Sequence, residues 1–166
     1  MKDNMILIGM PGAGKSTIGV VLAKSLGMKF VDSDLVIQEG EQRLLQDIIN
    51  TDGMEVFLDC EEEAVLTLQC AKSIIATGGS VIYRKDAMDH LGTLGKVIYL
   101  DVSYEEIERR VNNITTRGIA IREGATLRDI YDERTAYYQS YKDITIDCDG
   151  KTVEDIVDEI VDYKKA

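Results

Sequence analysis

The chain has 166 residues, of which 45% are hydrophobic and 30% charged, and it carries a formal net charge of −11. This length suits one domain with a real core, and the acidic balance argues against non-specific binding to nucleic acid or to an anionic membrane. Apolar runs are strand-sized, far short of a membrane span, and Met1-Lys2-Asp3-Asn4 leads straight into the first of them, so neither a signal peptide nor a membrane anchor is expected and a cytoplasmic, monomeric protein is.

Met5–Ile8 reads as a buried strand, and the glycine-rich run after it opens a helix with an apolar stripe at Ile18, Val21, Leu22 and Leu26. Between strand and helix stands Gly9-Met10-Pro11-Gly12-Ala13-Gly14-Lys15-Ser16, a complete G-x-x-x-x-G-K-[ST]. Its glycines allow backbone N–H groups to turn around phosphate oxygens, and the helix N-terminus adds partial positive charge. Lys15 then reaches the β- and γ-phosphates, and the Ser16 hydroxyl ligates Mg²⁺. The expected ATP contacts are Gly12, Ala13, Gly14, Lys15, Ser16 and Thr17. The bland alternative, a chance glycine turn, fits poorly with the strand–loop–helix context.

Phe30-Val31 makes a second strand and runs into Asp32-Ser33-Asp34. A spacing of two along extended chain puts both carboxylates on one side, the side that faces the ligand crevice at the carboxyl edge of a parallel sheet. One can hold the metal through water while the other takes a proton from an attacking hydroxyl. The competing reading is that Asp34 caps a helix beginning at Leu35. Ser73–Ala76 is a third strand closed by Thr77-Gly78-Gly79-Ser80, where paired glycines either present N–H groups to an acceptor or make a tight turn.

Val97–Leu100 is the next strand, and Tyr104, Ile107 and Val111 mark the helix after it. Asn112–Gly124 has no clear period and reads as a mobile loop. Arg117 lies within it and Arg110 one helical turn before, a pair suited to a lid that closes over ATP, or else to solvated surface. In the following helix, Leu127, Ile130, Tyr131 and Tyr138 form the stripe, and Arg134 falls on it. An inward guanidinium needs an anion, either a structural carboxylate or the substrate. Ile144–Ile146 and the stripe Val153, Ile156, Val157, Ile160, Val161 complete the chain. Alternation of this kind signals βαβ units around a parallel sheet. Cys60, Cys70 and Cys148 lack metal-like spacing and are expected as free thiols, and His90 is expected at the surface.

Together these features resemble the shikimate kinase family over nearly the whole chain: the phosphate loop, Asp32-Ser33-Asp34, Ala76-Thr77-Gly78-Gly79, the Arg110 to Arg117 spacing, and Glu133-Arg134 with Tyr138 all occur in its order. The resemblance implies an α/β fold, a P-loop doubly wound parallel sheet of about five strands flanked by helices. It also implies a helical substrate-binding segment near 34–60 and a lid near 112–124. Catalysis would fall to Lys15, Asp34 and Arg117; Arg110 and Arg117 would serve ATP; Asp34, Gly78, Gly79 and Arg134 would hold the substrate; Ser16 and Asp32 would hold magnesium. The implied reaction transfers the γ-phosphoryl group of ATP to shikimate. The alternatives are a relative with another hydroxy acceptor, or an ATP-binding regulator. A GTPase switch fits less well still, because no Asn-Lys-x-Asp occurs.

The chain departs from the family pattern at three places. Phe57-Leu58-Asp59-Cys60-Glu61 replaces Phe-Arg-x-x-Glu, so the arginine that would meet the shikimate carboxylate is Leu58. Ser80 replaces a third glycine, and Gly118 replaces the proline after the lid arginine. Glu61 shares a helical face with Phe57, Leu58 and Val65 and needs a cation, for which Arg43, Arg84 and Lys85 are the candidates.

Overall fold

The computed structural model describes residues 3–112 and 119–166. Its centre is β1 (Asn4–Ile8), every residue of which is buried, as the unbroken apolar run requires of a strand covered on both faces. Around it stand β2 (Lys29–Asp32), β3 (Ser73–Ala76), β4 (Gly95–Asp101) and β5 (Ile144–Asp147) in the order β2-β3-β1-β4-β5, all parallel. Each strand is longer by a residue or more than its apolar run except β3, because the polar ends Asn4, Asp32, Asp101 and Asp147 still pair in the sheet.

Asn4 closes the amino edge of the sheet. Its amide donates to the Cys70 and Leu94 carbonyls at 2.8 and 3.0 Å and accepts the Ser73 N–H at 2.9 Å. A buried amide satisfied on both sides fixes the strand ends rather than destabilising them. At the opposite edge, Leu7 and Asp32 are both in register with Ala76. Three segments therefore leave the sheet at one level, and Thr77 ties two of them by donating its hydroxyl to the Leu7 carbonyl at 2.9 Å.

The helices are α1 (Lys15–Leu26), α2 (Ser33–Glu41), α3 (Leu45–Asp52), α4 (Met54–Leu66), α5 (Lys85–Leu94), α6 (Tyr104–Asn112), α7 (Leu127–Tyr141) and α8 (Val153–Lys165), with a 3-10 turn at Val81–Tyr83. The main core is built on the sheet, and α8 lies on α1. A second apolar cluster joins Ile37, Leu45, Ile48, Phe57, Leu58 and Ala120 under the α2–α4 segment. No helix among the described residues is long and apolar enough to cross a membrane.

The structure departs from the extended Asp32-Ser33-Asp34 segment, from the competing helix start at Leu35, and from a surface His90. α2 begins at Ser33, not Leu35, and its N-cap is Asp32, whose carboxylate accepts the Asp34 N–H at 2.9 Å. The chain turns helical immediately after Asp32, so the two aspartates are not spaced along an extended segment. His90 is half-buried on α5 and bonded through Nε2 to the Leu68 carbonyl at 3.0 Å, a structural tie rather than a solvated side chain. The cysteines are free thiols, and burial pushes Cys148 up to about 12.

Candidate active site

The loop between β1 and α1 owes its shape to glycine. Gly12 and Gly14 sit at φ 84° and 91°, in the left-handed region that other residues avoid. α1 has no side-chain cap and no acid in its first turn. Its first N–H groups are thus left for an anion, which the helix dipole also favours. Lys15 Nζ donates to the Gly9 and Met10 carbonyls at 2.7 and 2.8 Å, folding the cation back over the loop. The Ala13 N–H is turned inward onto the Met10 carbonyl at 3.0 Å.

Ser16 Oγ donates to Asp32 Oδ2 at 2.8 Å. The first turn of α1 and the end of β2 thereby place a hydroxyl and a carboxylate side by side. These are hard oxygen donors of the kind magnesium takes, and magnesium is commonly held by one or two protein groups plus phosphates and water. No cluster of three or more His, Cys, Asp or Glu side chains suited to a metal exists among the described residues.

One cavity of about 410 Å³ is lined by Lys15, Ser16, Thr17, Asp32, Asp34 and Gly12 on the loop side. Gly78, Gly79, Phe57, Glu61 and Arg134 line its other end. Neither Gly78 nor Gly79 needs an unusual backbone; both need empty space. A Cβ on Gly79 would lie 2.7 Å from Pro11 Cδ and 3.1 Å from Arg134 Nη1. The Gly78 N–H donates to Ser33 Oγ at 3.2 Å, holding this turn against the start of α2.

Arg134, fully buried on α7, donates to the Ala120 carbonyl and, at 3.3 Å, to the Tyr83 hydroxyl. The Tyr83 hydroxyl in turn donates to Glu133 at 2.6 Å. One turn on, the Tyr138 hydroxyl donates to the Gly79 carbonyl at 2.6 Å. Arg110 donates to the Gly12 carbonyl at 2.9 Å and to Glu106 at 2.8 Å, so it braces the phosphate loop from α6. Hydrogen bonds from Arg109 and Arg110 hold the Glu106 carboxyl down at about 2. Arg117 and Gly118 lie outside the described residues.

Of the described residues expected in the site, Gly12, Gly14, Lys15, Ser16, Thr17, Asp32, Asp34, Gly78, Gly79 and Arg134 line this cavity, whereas Ala13 and Arg110 are not in its lining, Arg110 reaching it only through the Gly12 carbonyl. The hydroxyls of Ser33, Tyr83 and Ser80 bond to Gly78, Arg134 and Glu61. Ser33 and Tyr83 act through single hydroxyls that no spacing rule flags, and Ser80 was noticed only as a missing glycine. None of Arg43, Arg84 and Lys85 serves Glu61. Arg43 pairs with Asp52 and Glu41, Arg84 with Glu55 and Asp59, and Lys85 with Asp89, because α3, α4 and α5 each offer a nearer surface acid.

The sequence profile of the family described as "Shikimate kinase" matches residues 11–165. A shikimate kinase of Rippkaea orientalis is 37% identical over 162 residues, covering 96% of this chain and 86% of that protein. One of Legionella pneumophila is 35% identical over 163 residues, covering 96% and 93%. Among solved structures, shikimate kinase from Acinetobacter baumannii in complex with shikimate superposes with a TM-score of 0.90 at 28% identity, covering 98% of this chain and 93% of that one. The Aquifex aeolicus enzyme does so with a TM-score of 0.81 at 25% identity, covering 98% and 96%.

Proposed function

The chain belongs to the shikimate kinase family, and on that premise we propose that it transfers the γ-phosphoryl group of ATP to a hydroxyl of shikimate. The observation that carries this reading is the meeting, in one cavity, of the phosphate-loop lysine, the Ser16–Asp32 pair, Asp34, and a buried arginine at the far end.

In this reading the loop amides and the start of α1 bind the phosphates, and Lys15 exchanges its two carbonyl partners for phosphate oxygens as ATP enters. Ser16 and Asp32 hold Mg²⁺, which when bound screens the phosphate charge. Asp34 orients the acceptor hydroxyl and takes its proton, a role worth roughly 10²–10⁴-fold in rate. Arg134 pairs with the acceptor's carboxylate, and the turn at Gly78–Gly79 lets the acceptor approach backbone. Arg117, from a lid near 112–124, adds positive charge around the transferring phosphoryl group together with Arg110. Most of the acceleration then comes from positioning and electrostatics. The protein works as a cytoplasmic monomer, with no nucleic acid or membrane partner.

The test is release of ADP in the presence of shikimate, with related hydroxy acids, polyols and amino alcohols as comparison acceptors. Shikimate-dependent turnover supports the reading. Turnover with a different hydroxy compound alone favours a second one, which Leu58 motivates: in place of the pocket arginine stands an apolar side chain 3% exposed, packed in the second cluster. ATP turnover indifferent to every acceptor would defeat both.

A further inference from the structure

The acceptor end of the cavity holds an acid that the scheme above leaves without a task. Glu61 of α4 is 1% exposed and lines the cavity. Its Oε1 accepts a hydrogen bond from Ser80 Oγ at 2.9 Å, while Oε2 has no partner among the described residues. The position of a Cβ on Gly78 lies 2.5 Å from Glu61 Oε2 and 2.9 Å from Asp34 Oδ1. Two carboxyl groups thus converge over one glycine.

The surroundings of Glu61 decide its charge. Ser80 faces it from the turn after β3, Asp34 from α2, and Arg134 and Lys15 act on it from α7 and α1. Both cations donate their described hydrogen bonds to other groups, and Leu58, one turn before Glu61, points into the apolar cluster. A buried carboxylate with an unmet oxygen beside a second carboxylate is the costly arrangement. One proton on the pair relieves it, and the protonated oxygen becomes a donor that needs an acceptor. Burial, reinforced by Asp34, outweighs Ser80, Arg134 and Lys15 and pushes Glu61 up to about 8.

We propose that Glu61 is a specificity-determining residue of the acceptor pocket, held as a neutral acid whose Oε2–H donates a hydrogen bond to an oxygen of the acceptor beside the hydroxyl taken by Asp34. The inference rests on the kinase reading and deepens it. The pocket selects acceptors that offer a lone pair at this place. It loses hold of an anionic acceptor once Glu61 ionises and sets a second negative charge next to Asp34.

The experiment has two readouts. The first is the acceptor KM and kcat from neutral to alkaline pH, with shikimate, for wild type, Glu61→Gln and Glu61→Ala. KM in the wild type is expected to climb above about pH 8, approaching about tenfold per pH unit, with kcat changing less. Glu61→Gln, a permanent neutral donor, flattens that climb and raises the neutral-pH KM less than Glu61→Ala does. The second is the protonated-carboxyl band in the infrared spectrum of the protein without nucleotide. It is expected at neutral pH, is lost in Glu61→Gln, and titrates at higher pH in Ser80→Ala, which keeps Glu61 but removes its hydrogen bond. An ionised Glu61 at neutral pH, or an equal KM climb in Glu61→Gln, overturns the proposal. Failure of every acceptor to release ADP defeats the kinase reading, and the infrared band still decides the state of Glu61.

Discussion

Ser16 and Asp32 are joined by a 2.8 Å hydrogen bond from hydroxyl to carboxylate, and the other oxygen of the same carboxylate caps α2 through the Asp34 N–H at 2.9 Å. One side chain thereby faces the phosphate loop and starts the helix that carries Asp34.

Substitution at Asp32 should separate these duties. Asp32→Asn keeps an oxygen for the cap and removes the charge, so it should weaken magnesium-dependent activity with little loss of stability. Asp32→Ala removes both and should cost a further ~1 kcal/mol. Urea denaturation beside a magnesium titration of turnover reads the two effects. Equal stability of both variants would contradict the capping role.

Lys15→Ala and Asp34→Asn should fail differently. Without Lys15, kcat should fall by at least about 10²-fold, the scale for losing one preorganised electrostatic donor, and the nucleotide should bind more weakly by calorimetry. Asp34→Asn should leave nucleotide binding intact while kcat drops by about 10²–10⁴-fold. Full turnover in the Asp34 variant would remove it from the role of base.

Gly79→Ala is expected to damage both ends of the cavity at once. The added methyl group meets Pro11 on one side and Arg134 on the other. Overpacking of this kind costs typically ~1–3 kcal/mol. The KM values for ATP and for the acceptor should both rise, by about tenfold or more, whereas a change confined to one of them would place the strain elsewhere.

The pH dependence of stability follows from Glu61. Its carboxyl ionises near the ordinary value of 4.5 when unfolded and at about 8 when folded. Between those values the folded state binds more protons, so stability falls as pH rises through this window. Melting temperature should therefore decline from pH 5 to pH 8, and Glu61→Gln should flatten that decline, each kcal/mol moving Tm by ~2–4 °C at this chain length. A slope unchanged in the variant would mean that Glu61 is ionised throughout.

Much of this was legible in the sequence, for identifiable reasons. The phosphate loop is local: the consecutive residues Gly9 to Ser16 fix it, and strand and helix signals flank it. The central strands β1, β3 and β4 were readable because burial on both faces leaves continuous apolar runs, whereas the edge strands β2 and β5 are only partly buried and gave runs of two and three residues. By contrast, the helices α2 to α4 were drawn mainly from the family resemblance, since their apolar residues face a small cluster and their stripes are short. The cap at Asp32 and the true partners of Arg43 and Arg84 depend on which surface acid lies nearest after folding. That Arg43, Arg84 and Lys85 all pair away from Glu61 is likewise a long-range fact. It needed the positions of α3, α4 and α5 together, none of which any periodicity reports.

Arg134 and Tyr138 stand one helical turn apart on the buried face of α7, one pairing with Tyr83 and the Ala120 carbonyl, the other with Gly79. An α-helix advances about 100° per residue, so inserting or deleting a single position between them would swing one contact out of the pocket while keeping the other. This wall works as a fixed gauge. Adaptation to a new acceptor then falls to the α4 side, where Phe57 and Glu61 line the cavity.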